Sequence, residues 1–517
     1  MLFNSNEFLF LFLPVSLLLY HLTRVKFGKN KAIYLLFLLS LFFYGYWEWR
    51  YVPLLLASIG VNLFLVRFIV RETKKTFLKI GITFNLLLLA VYKYLGFIEL
   101  NIEAFTGSSI NLPELVLPIG ISFYTFQQIA YLVDVSRNKT EVKVPPSKYG
   151  LFICFFPQLI AGPIVHHKEM MPQFEEDKKH AELLKLACVG LVIFILGLSK
   201  KILIADPLGE FASPLFARAE QGINIHFFIA WSAAFAYGLQ IYFDFSGYSE
   251  MAVGLALMFG IKLPTNFNSP YKSRSIIDFW RRWHMTLSRF LRDYLYFPLG
   301  GGRRSKARRY LNLMIVMLVG GLWHGASWTF AIWGGLHGLF LMINHGWRHL
   351  KLTFPSDVIN LVTRSTAWPL TYLCAITAFV VFRTETLVGA SNLYSAMFGL
   401  DGLSLPSELK PLLVFLGLDS FFYFFAENQR YDFYLGIFSI ILATAIALMG
   451  PNVLELLKRY KPTQDFETVE ATFDNDSNIV GKIKLSKRYA ILMGFLFYLS
   501  VKSINSASET EFLYFQF

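Results

Sequence analysis

Two histidines in apolar surroundings, His284 and His324, are the side chains of this sequence best suited to moving a proton. An imidazole exchanges its proton near neutral pH, so one held out of water can serve as general base or acid. His324 lies in Val319-Gly320-Gly321-Leu322-Trp323-His324-Gly325-Ala326-Ser327-Trp328, between an apolar run starting near Leu311 and another ending near Met342. That setting predicts a ring at membrane depth, where an ionisable group is expensive and by default marks a functional site. The glycines beside it permit close backbone approach or an irregular turn lining a cavity. A satisfied core histidine is the rival reading.

His284 belongs to the stretch 275–295, which at 100° per residue resolves into two faces of one amphipathic helix. Ile276, Ile277, Trp280, Trp283, Leu287, Phe290 and Leu291 share an apolar arc with His284, whereas Asp278, Arg281, Arg282, Arg289, Arg292 and Asp293 share the opposite one. Such a helix lies at an interface, and its arginines either meet lipid headgroups and solvent or bind an anionic donor. An imidazole on the buried side must find a partner or lose basicity.

Other polar residues also interrupt apolar runs. Asp244 and Ser246 break the stretch 231–258, and intramembrane carboxylates face a protein interior or a water-filled path. His337 and His345 have Gly-rich and Asn-rich surroundings that fit packing and interfacial positions, so neither is given a role. No His-x-x-x-His or His-x-x-Glu pair occurs near His324, so no metal is expected there. Cys154, Cys188 and Cys374 have no paired spacing and read as small packing residues.

The elements that must position these groups are membrane helices. Of 517 residues, 55% are hydrophobic and only 16% charged, more apolar surface than one water-soluble core can hide. Stretches near the roughly 20 residues that cross the hydrocarbon layer recur from 9–20, 32–46 and 54–70 to the C-terminus, and about 11 to 13 are expected. The fold class is therefore all-α and polytopic. The start of the chain lacks a basic n-region and a cleavage pattern, so no removable signal peptide is expected. Tyr44-Gly45-Tyr46-Trp47-Glu48-Trp49-Arg50 reads as an interfacial belt.

The net charge of +13 would suggest nucleic acid in a soluble protein, but the Lys and Arg fall in short loops between spans, which positive-inside orientation explains. Between 262 and 309 there are twelve Lys or Arg against two Asp, so this region should face the cytoplasm. A single membrane domain, 1–517, is expected, with an N-terminal helical group at 1–135, a core at 136–430 and C-terminal spans at 431–517 that include a polar loop at 458–487. Polar breaks at 136–148 and 166–185 bracket 151–165, whose Pro157, Gly162 and Pro163 predict a short tilted or re-entrant helix packed against protein. Internal repeats and low-complexity tracts are not discernible.

Five blocks resemble the signatures of the membrane-bound O-acyltransferases, and within them the alginate O-acetyltransferase branch. They are Tyr242-Phe243-Asp244-Phe245-Ser246-Gly247-Tyr248, Asn266-Phe267-Asn268-Ser269-Pro270-Tyr271, Asp278-Phe279-Trp280-Arg281-Arg282-Trp283-His284, Tyr294-Leu295-Tyr296-Phe297-Pro298-Leu299-Gly300-Gly301 and Gly321-Leu322-Trp323-His324-Gly325. The opening Met1-Leu2-Phe3-Asn4-Ser5, the Phe382-Arg383 pair and the closing Phe512-Leu513-Tyr514-Phe515-Gln516-Phe517 extend the likeness over nearly the whole chain. The loop 458–487 matches nothing in that branch.

The resemblance implies a many-helix bundle around a central tunnel, in a bacterial cytoplasmic (inner) membrane and among its lipids. His324 matches the catalytic histidine and His284 the family's second one; Asp244, Ser246, Trp280, Trp283 and Trp323 are candidate tunnel-lining, substrate-binding residues. Acetyl-CoA or another acetyl thioester is the implied donor substrate, with no permanently bound cofactor. The acetyl group would pass outward to a polysaccharide acceptor or to an extracytoplasmic acetyltransferase or esterase-like partner, and no nucleic acid is expected to bind. Two alternatives stay open: a polysaccharide or lipid transporter without bond making, and transfer of another acyl group such as D-alanine to a wall polymer.

Overall fold

The computed structural model describes residues 1–72, 75–108, 112–113, 115–137, 144–303, 305–353, 357–425, 430–473, 485–506 and 512–513. Parts of four expected features fall outside them: 138–143 of the first polar break, 304 of the basic stretch, 474–484 of the C-terminal polar loop, and 514–517 of the closing block. Among the described residues the regular structure is helical except for one two-stranded parallel pairing, Leu403–Pro406 against Phe422–Phe425, with Leu403 opposite Phe422.

Among the described residues, five helical stretches are long and apolar enough to cross a membrane: Phe8–Phe27, Lys29–Val70, Lys75–Thr106, His180–Glu220 and Ser365–Arg383. Phe10, Leu11, Leu18, Phe42, Phe64 and Leu87 stand exposed on these stretches, an outward apolar face that water cannot solvate and lipid can. The expectation of about 11 to 13 spans also counted helices such as Phe227–Met258, Lys306–His324 and Trp328–Thr353, whose polar and charged residues, such as Gln240, Asp244, Arg308, Arg309 and Asn344, lower their mean hydropathy. Tyr46, Trp47 and Trp49 are exposed, as an interfacial belt requires.

The Cα framework groups into two compact units. The first contains Met1–Ser199, Gly247–Asn266 and Asn452–Gln516. Its interior is aromatic: Phe3, Phe8, Phe12, Phe43 and Phe156 are buried, with Phe8 and Phe43 5.9 Å apart and Phe12 and Phe156 5.3 Å apart between ring centres. Residues 151–165 are buried throughout, in the short helices Pro146–Cys154 and Phe156–Leu159 and the turn after them, so this Pro-broken segment packs within protein as predicted. A Cβ on Gly190 would come within 2.4 Å of the Gly254 carbonyl and one on Gly197 within 2.5 Å of that of Gly247, so these helix backbones meet with no room for a side chain. Asn62 and Asn85 exchange side-chain hydrogen bonds of 3.2 and 2.7 Å, which satisfies two buried amides between spans. The described part of the polar loop is held in this unit by Asp465, which accepts from the backbone N–H and the hydroxyl of Thr265 at 2.9 and 2.8 Å.

The cysteine expectation needs one correction. Cys154 is buried and Cys374 half-buried, but Cys188 is exposed on its helix; a small apolar thiol is as compatible with a lipid-facing surface as with a core.

The second unit contains Lys200–Ser246 and Phe267–Pro451, and it carries both histidines of interest. Its central feature is an antiparallel pair, Lys306–His324 and Trp328–Thr353, joined by the turn at Gly325, Ala326 and Ser327. Lys306 Nζ meets His349 Nε2 at 3.0 Å at one end of the pair. Near the other, a Cβ on Gly321 would fall 2.3 Å from the Phe330 carbonyl, and one on Gly334 2.3 Å from the Met317 carbonyl. Contact this close is available only to glycine, and it sets the depth at which the helix ends on His324.

Candidate active site

Ser305 caps the Lys306–His324 helix by accepting from the Arg308 N–H at 3.2 Å, and His324 is its last residue. At 1.5 Å per residue the helix is about 28 Å long. The His324 ring is 4% exposed and lies among Trp323, Trp333 and Phe382, with centres 5.0, 5.1 and 5.4 Å away. Three elements therefore fix this imidazole: its own helix, the first turns of Trp328–Thr353 and the end of Asp357–Arg383.

The stretch around His284 departs from prediction. It is not one amphipathic helix but two short ones, Ile276–Arg282 and Met285–Leu291, followed by a π turn at Arg292–Tyr296. Between them Trp283 is extended and His284 has φ 40° and ψ 54°, the left-handed region that ordinary side chains rarely occupy. Burial of aromatic surface outweighs helix continuity here: Trp283 is 3% exposed and stacks on Phe279 at 5.5 Å, while His284 is fully buried. The His284 ring meets Phe245 edge-on at 4.8 Å, with Phe267 at 6.4 Å and Trp323 at 6.2 Å. Ser275 caps the first helix through the Asp278 N–H at 3.1 Å, as its position before an apolar run suggests.

His284 and His324, 40 residues apart in the chain, thus come to 6.2 Å between ring centres inside an aromatic enclosure. Trp323 touches both rings. Trp280 reaches the same cluster through Trp333, 5.9 Å away, and its indole N–H donates to His337 Nδ1 at 3.3 Å. An indole only donates, so in the neutral ring of His337 the proton sits on Nε2. Trp283 packs behind His284 against Tyr242 and Phe379 and does not border His324.

Asp244 and Ser246 are each 1% exposed. Asp244 lies 2.6 Å from Lys201 Nζ, which also meets Asp206 at 2.8 Å. Phe245, between Asp244 and Ser246, is the residue that contacts His284, so this part of Phe227–Met258 supports the enclosure through its aromatic ring. Arg281 is exposed, and Arg282 is half-buried and held by both Asp278 oxygens at 3.2 Å. These arginines form a solvated and internally paired edge.

Sequence reasoning passed over Lys201 and Trp333, and it gave His337 a packing or interfacial position and no role. The signal for Lys201 was available: a Lys200-Lys201 pair inside an apolar run, with Asp206 five residues on, is the pattern of a buried cation with its counter-ion. Trp333 carried no such mark, and His337 could not be told from a packing residue, because an aromatic and a histidine one turn apart look the same in a packed helix and in a site wall.

Comparison with known proteins identifies the family. The model of the MBOAT, membrane-bound O-acyltransferase family, matches residues 12–382, which include both histidines. The chain belongs to the membrane-bound O-acyltransferase family and is an O-acyltransferase. It is 43% identical over 436 residues to a peptidoglycan O-acetyltransferase of Helicobacter pylori, covering 78% of this chain and 81% of that protein. It is 35% identical over 526 residues to the "Probable alginate O-acetylase AlgI" of Azotobacter vinelandii, covering 100% of each. A teichoic acid D-alanyltransferase of Streptococcus thermophilus is 31% identical over 247 residues, 46% of this chain and 59% of that protein.

Proposed function

We propose that this chain is a transmembrane O-acetyltransferase of a bacterial cytoplasmic membrane, which moves an acetyl group from a cytoplasmic thioester such as acetyl-CoA toward an extracytoplasmic polysaccharide. The observation that carries the reading is the approach of the His284 and His324 rings to 6.2 Å in a buried aromatic enclosure. That spacing suits two imidazoles acting on one carbonyl. The relatives named for acetyl transfer cover more of this chain than the D-alanyl one, which favours acetyl over D-alanine.

In this mechanism His324 is the general base. It takes the proton of the acceptor hydroxyl as that oxygen attacks the thioester carbonyl and the new C–O bond forms. Collapse of the tetrahedral intermediate breaks the C–S bond, and the protonated imidazole returns its proton to the departing thiolate. His284 supports the developing oxyanion or shares the proton, and Trp280 and Trp323 shape the walls that exclude water. The acceptor hydroxyl belongs to the glycan or to an extracytoplasmic acetyltransferase or esterase-like partner that relays the group. A glycan such as alginate or peptidoglycan, the acceptors named for the relatives, fits this role.

The test is ester-linked acetate on surface polysaccharide in cells carrying the intact chain or His324→Ala. General-base assistance is typically worth about 10²–10⁴-fold, so the variant should export polymer almost free of acetate at unchanged protein level. Loss of export with unchanged ester density would favour a transporter instead. Mass analysis of the acid released from the polymer separates acetate from D-alanine.

A further inference from the structure

The two imidazoles of the site stand on different elements. His324 ends the Lys306–His324 helix, whereas His284 occupies the left-handed turn between Ile276–Arg282 and Met285–Leu291. Their 6.2 Å spacing therefore depends on what holds that turn against the helix pair. The Asn268 N–H donates to the Arg282 carbonyl at 2.9 Å, and the Arg282 guanidinium reaches the Asn268 carbonyl at 3.4 Å, which ties the turn to the preceding loop. Toward Trp328–Thr353 the first short helix is tied by the Ile277 N–H, which donates to Asn344 Oδ1 at 3.4 Å, and by the Trp280 indole, which donates to His337 Nδ1 at 3.3 Å.

His337 is fully buried. Its ring lies parallel to that of Phe279 at 6.2 Å, and Phe279 in turn stacks on Trp283, the residue before His284. Trp333 is 4.9 Å from the His337 ring and 5.1 Å from that of His324. One imidazole thus touches both the short helix that leads into the His284 turn and the indole that backs His324. The hydrogen bond adds what stacking lacks, a fixed direction, because an indole has a single N–H and a neutral imidazole a single in-plane lone pair to receive it. The low dielectric of a buried site strengthens that bond.

We propose that His337 is a positioning residue of the transfer reaction: by accepting from Trp280 it pins the segment that carries His284 to the helix pair that carries His324. The inference rests on the transfer reading above, and it assigns His337 no proton of the reaction. The rival use of the same ring is as a donor to substrate, since its Nε2 is buried and has no hydrogen-bond partner among the described residues.

The test measures ester-linked acetate on surface polysaccharide, per unit of full-length chain, for Trp280→Phe, His337→Phe and the double variant. A displacement of about 1 Å between reacting groups costs about a hundredfold, so each single variant should lower transfer about ten- to a hundredfold. Both break the same bond, so the double variant should be no slower than the slower single one. His337→Gln, whose amide oxygen can accept from the indole, should recover most of the loss; an amide could not replace an imidazole that transfers a proton. Acetyl-CoA binding, by titration calorimetry on the purified chain in detergent, should be the same for the parent and His337→Phe. Losses that multiply in the double variant, a single variant at the parent's rate, no recovery by Gln, or weaker acetyl-CoA binding by His337→Phe would each overturn the proposal. Trp280→Phe and His337→Gln keep the test decisive if His337→Phe does not fold.

Nitrogen-15 spectra of the histidine-labelled chain in lipid read the contact without activity. The His337 signals, identified by their loss in His337→Gln, should show the proton on Nε2, and Trp280→Phe should shift them together with those of His284. If the spectra behave so while the parent deposits no acetate, the transfer reading fails and the pinning stands. Unmoved His284 signals would overturn the proposal even with transfer intact.

Discussion

The ammonium of Lys201 lies 2.6 Å from the carboxylate of Asp244, and their side chains are 5% and 1% exposed. Asp206 adds a second carboxylate at 2.8 Å, so one cation serves two anions at a π turn, Lys201–Ala205, in a helical run that is otherwise apolar. The cluster anchors the segment that carries Phe245, and Phe245 bears on His284.

That arrangement ranks two substitutions. Lys201→Met removes the ammonium from the buried carboxylate of Asp244 and the half-buried one of Asp206, and breaking a buried pair in this way costs about 3–5 kcal/mol. Asp244→Asn leaves Lys201 with Asp206 and should cost clearly less. Thermal melting of the two variants in detergent checks the order; a Lys201→Met protein as stable as the parent would remove the cluster from any structural role.

His284 can be probed for chemistry apart from folding because of its backbone. At φ 40° Asn is tolerated and a β-branched residue is not. His284→Asn should therefore keep most of its stability yet lose activity, whereas His284→Val should lose about 1–3 kcal/mol from strain as well. Equal melting temperatures for the two would show that the left-handed turn places no constraint on this position.

Gly321 and Gly334 set how closely the two central helices approach. An exposed helical Gly→Ala change stabilises by about 0.5–1 kcal/mol, but here the added methyl meets backbone at 2.3 Å on either side. Gly321→Ala and Gly334→Ala should each destabilise by about 1–3 kcal/mol and lower transfer by moving His324 relative to its aromatic walls. Stability gained by either variant would contradict the close packing.

His167 supplies a pH dependence outside the apolar spans. Burial pushes this imidazole down to about 4, Asp134 at 3.6 Å opposes the shift, and Lys168 adds to it. The unfolded chain, with an ordinary histidine near 6.5, binds the proton more readily than the folded one, so the contribution is fully present above pH 6.5 and is lost as pH falls from 6.5 toward 4. Melting temperature should drop across that window, and His167→Gln should flatten the slope there. An unchanged slope in the variant would assign the acid sensitivity to other groups.

Much of the fold was legible because a lipid solvent constrains composition so strongly. Long apolar runs, the basic stretch 262–309 and the Pro-broken segment 151–165 all report on water against hydrocarbon, a comparison made locally along the chain. His284 and His324 stood out for the same reason. The break at Trp283 and His284 was not legible: the helical period of 275–295 is real, and a turn that costs local energy forms because it carries an imidazole and an indole into an aromatic interior built from distant segments. The Lys201 cluster was half legible, since its charges were visible but their pairing across two helices was not.

Sequence alone determined that the chain must live in lipid, that it is helical, and that two histidines sit where ionisable groups are rare, because each of these follows from transfer energies of short segments. Only the tertiary structure decided that those histidines meet at 6.2 Å, that Trp333, His337 and Phe382 wall the site, and that Arg383 rests on two aromatic rings. Such neighbours are set by where glycine lets helices touch and where aromatic rings fill the space between them, and that depends on residues far apart in the chain.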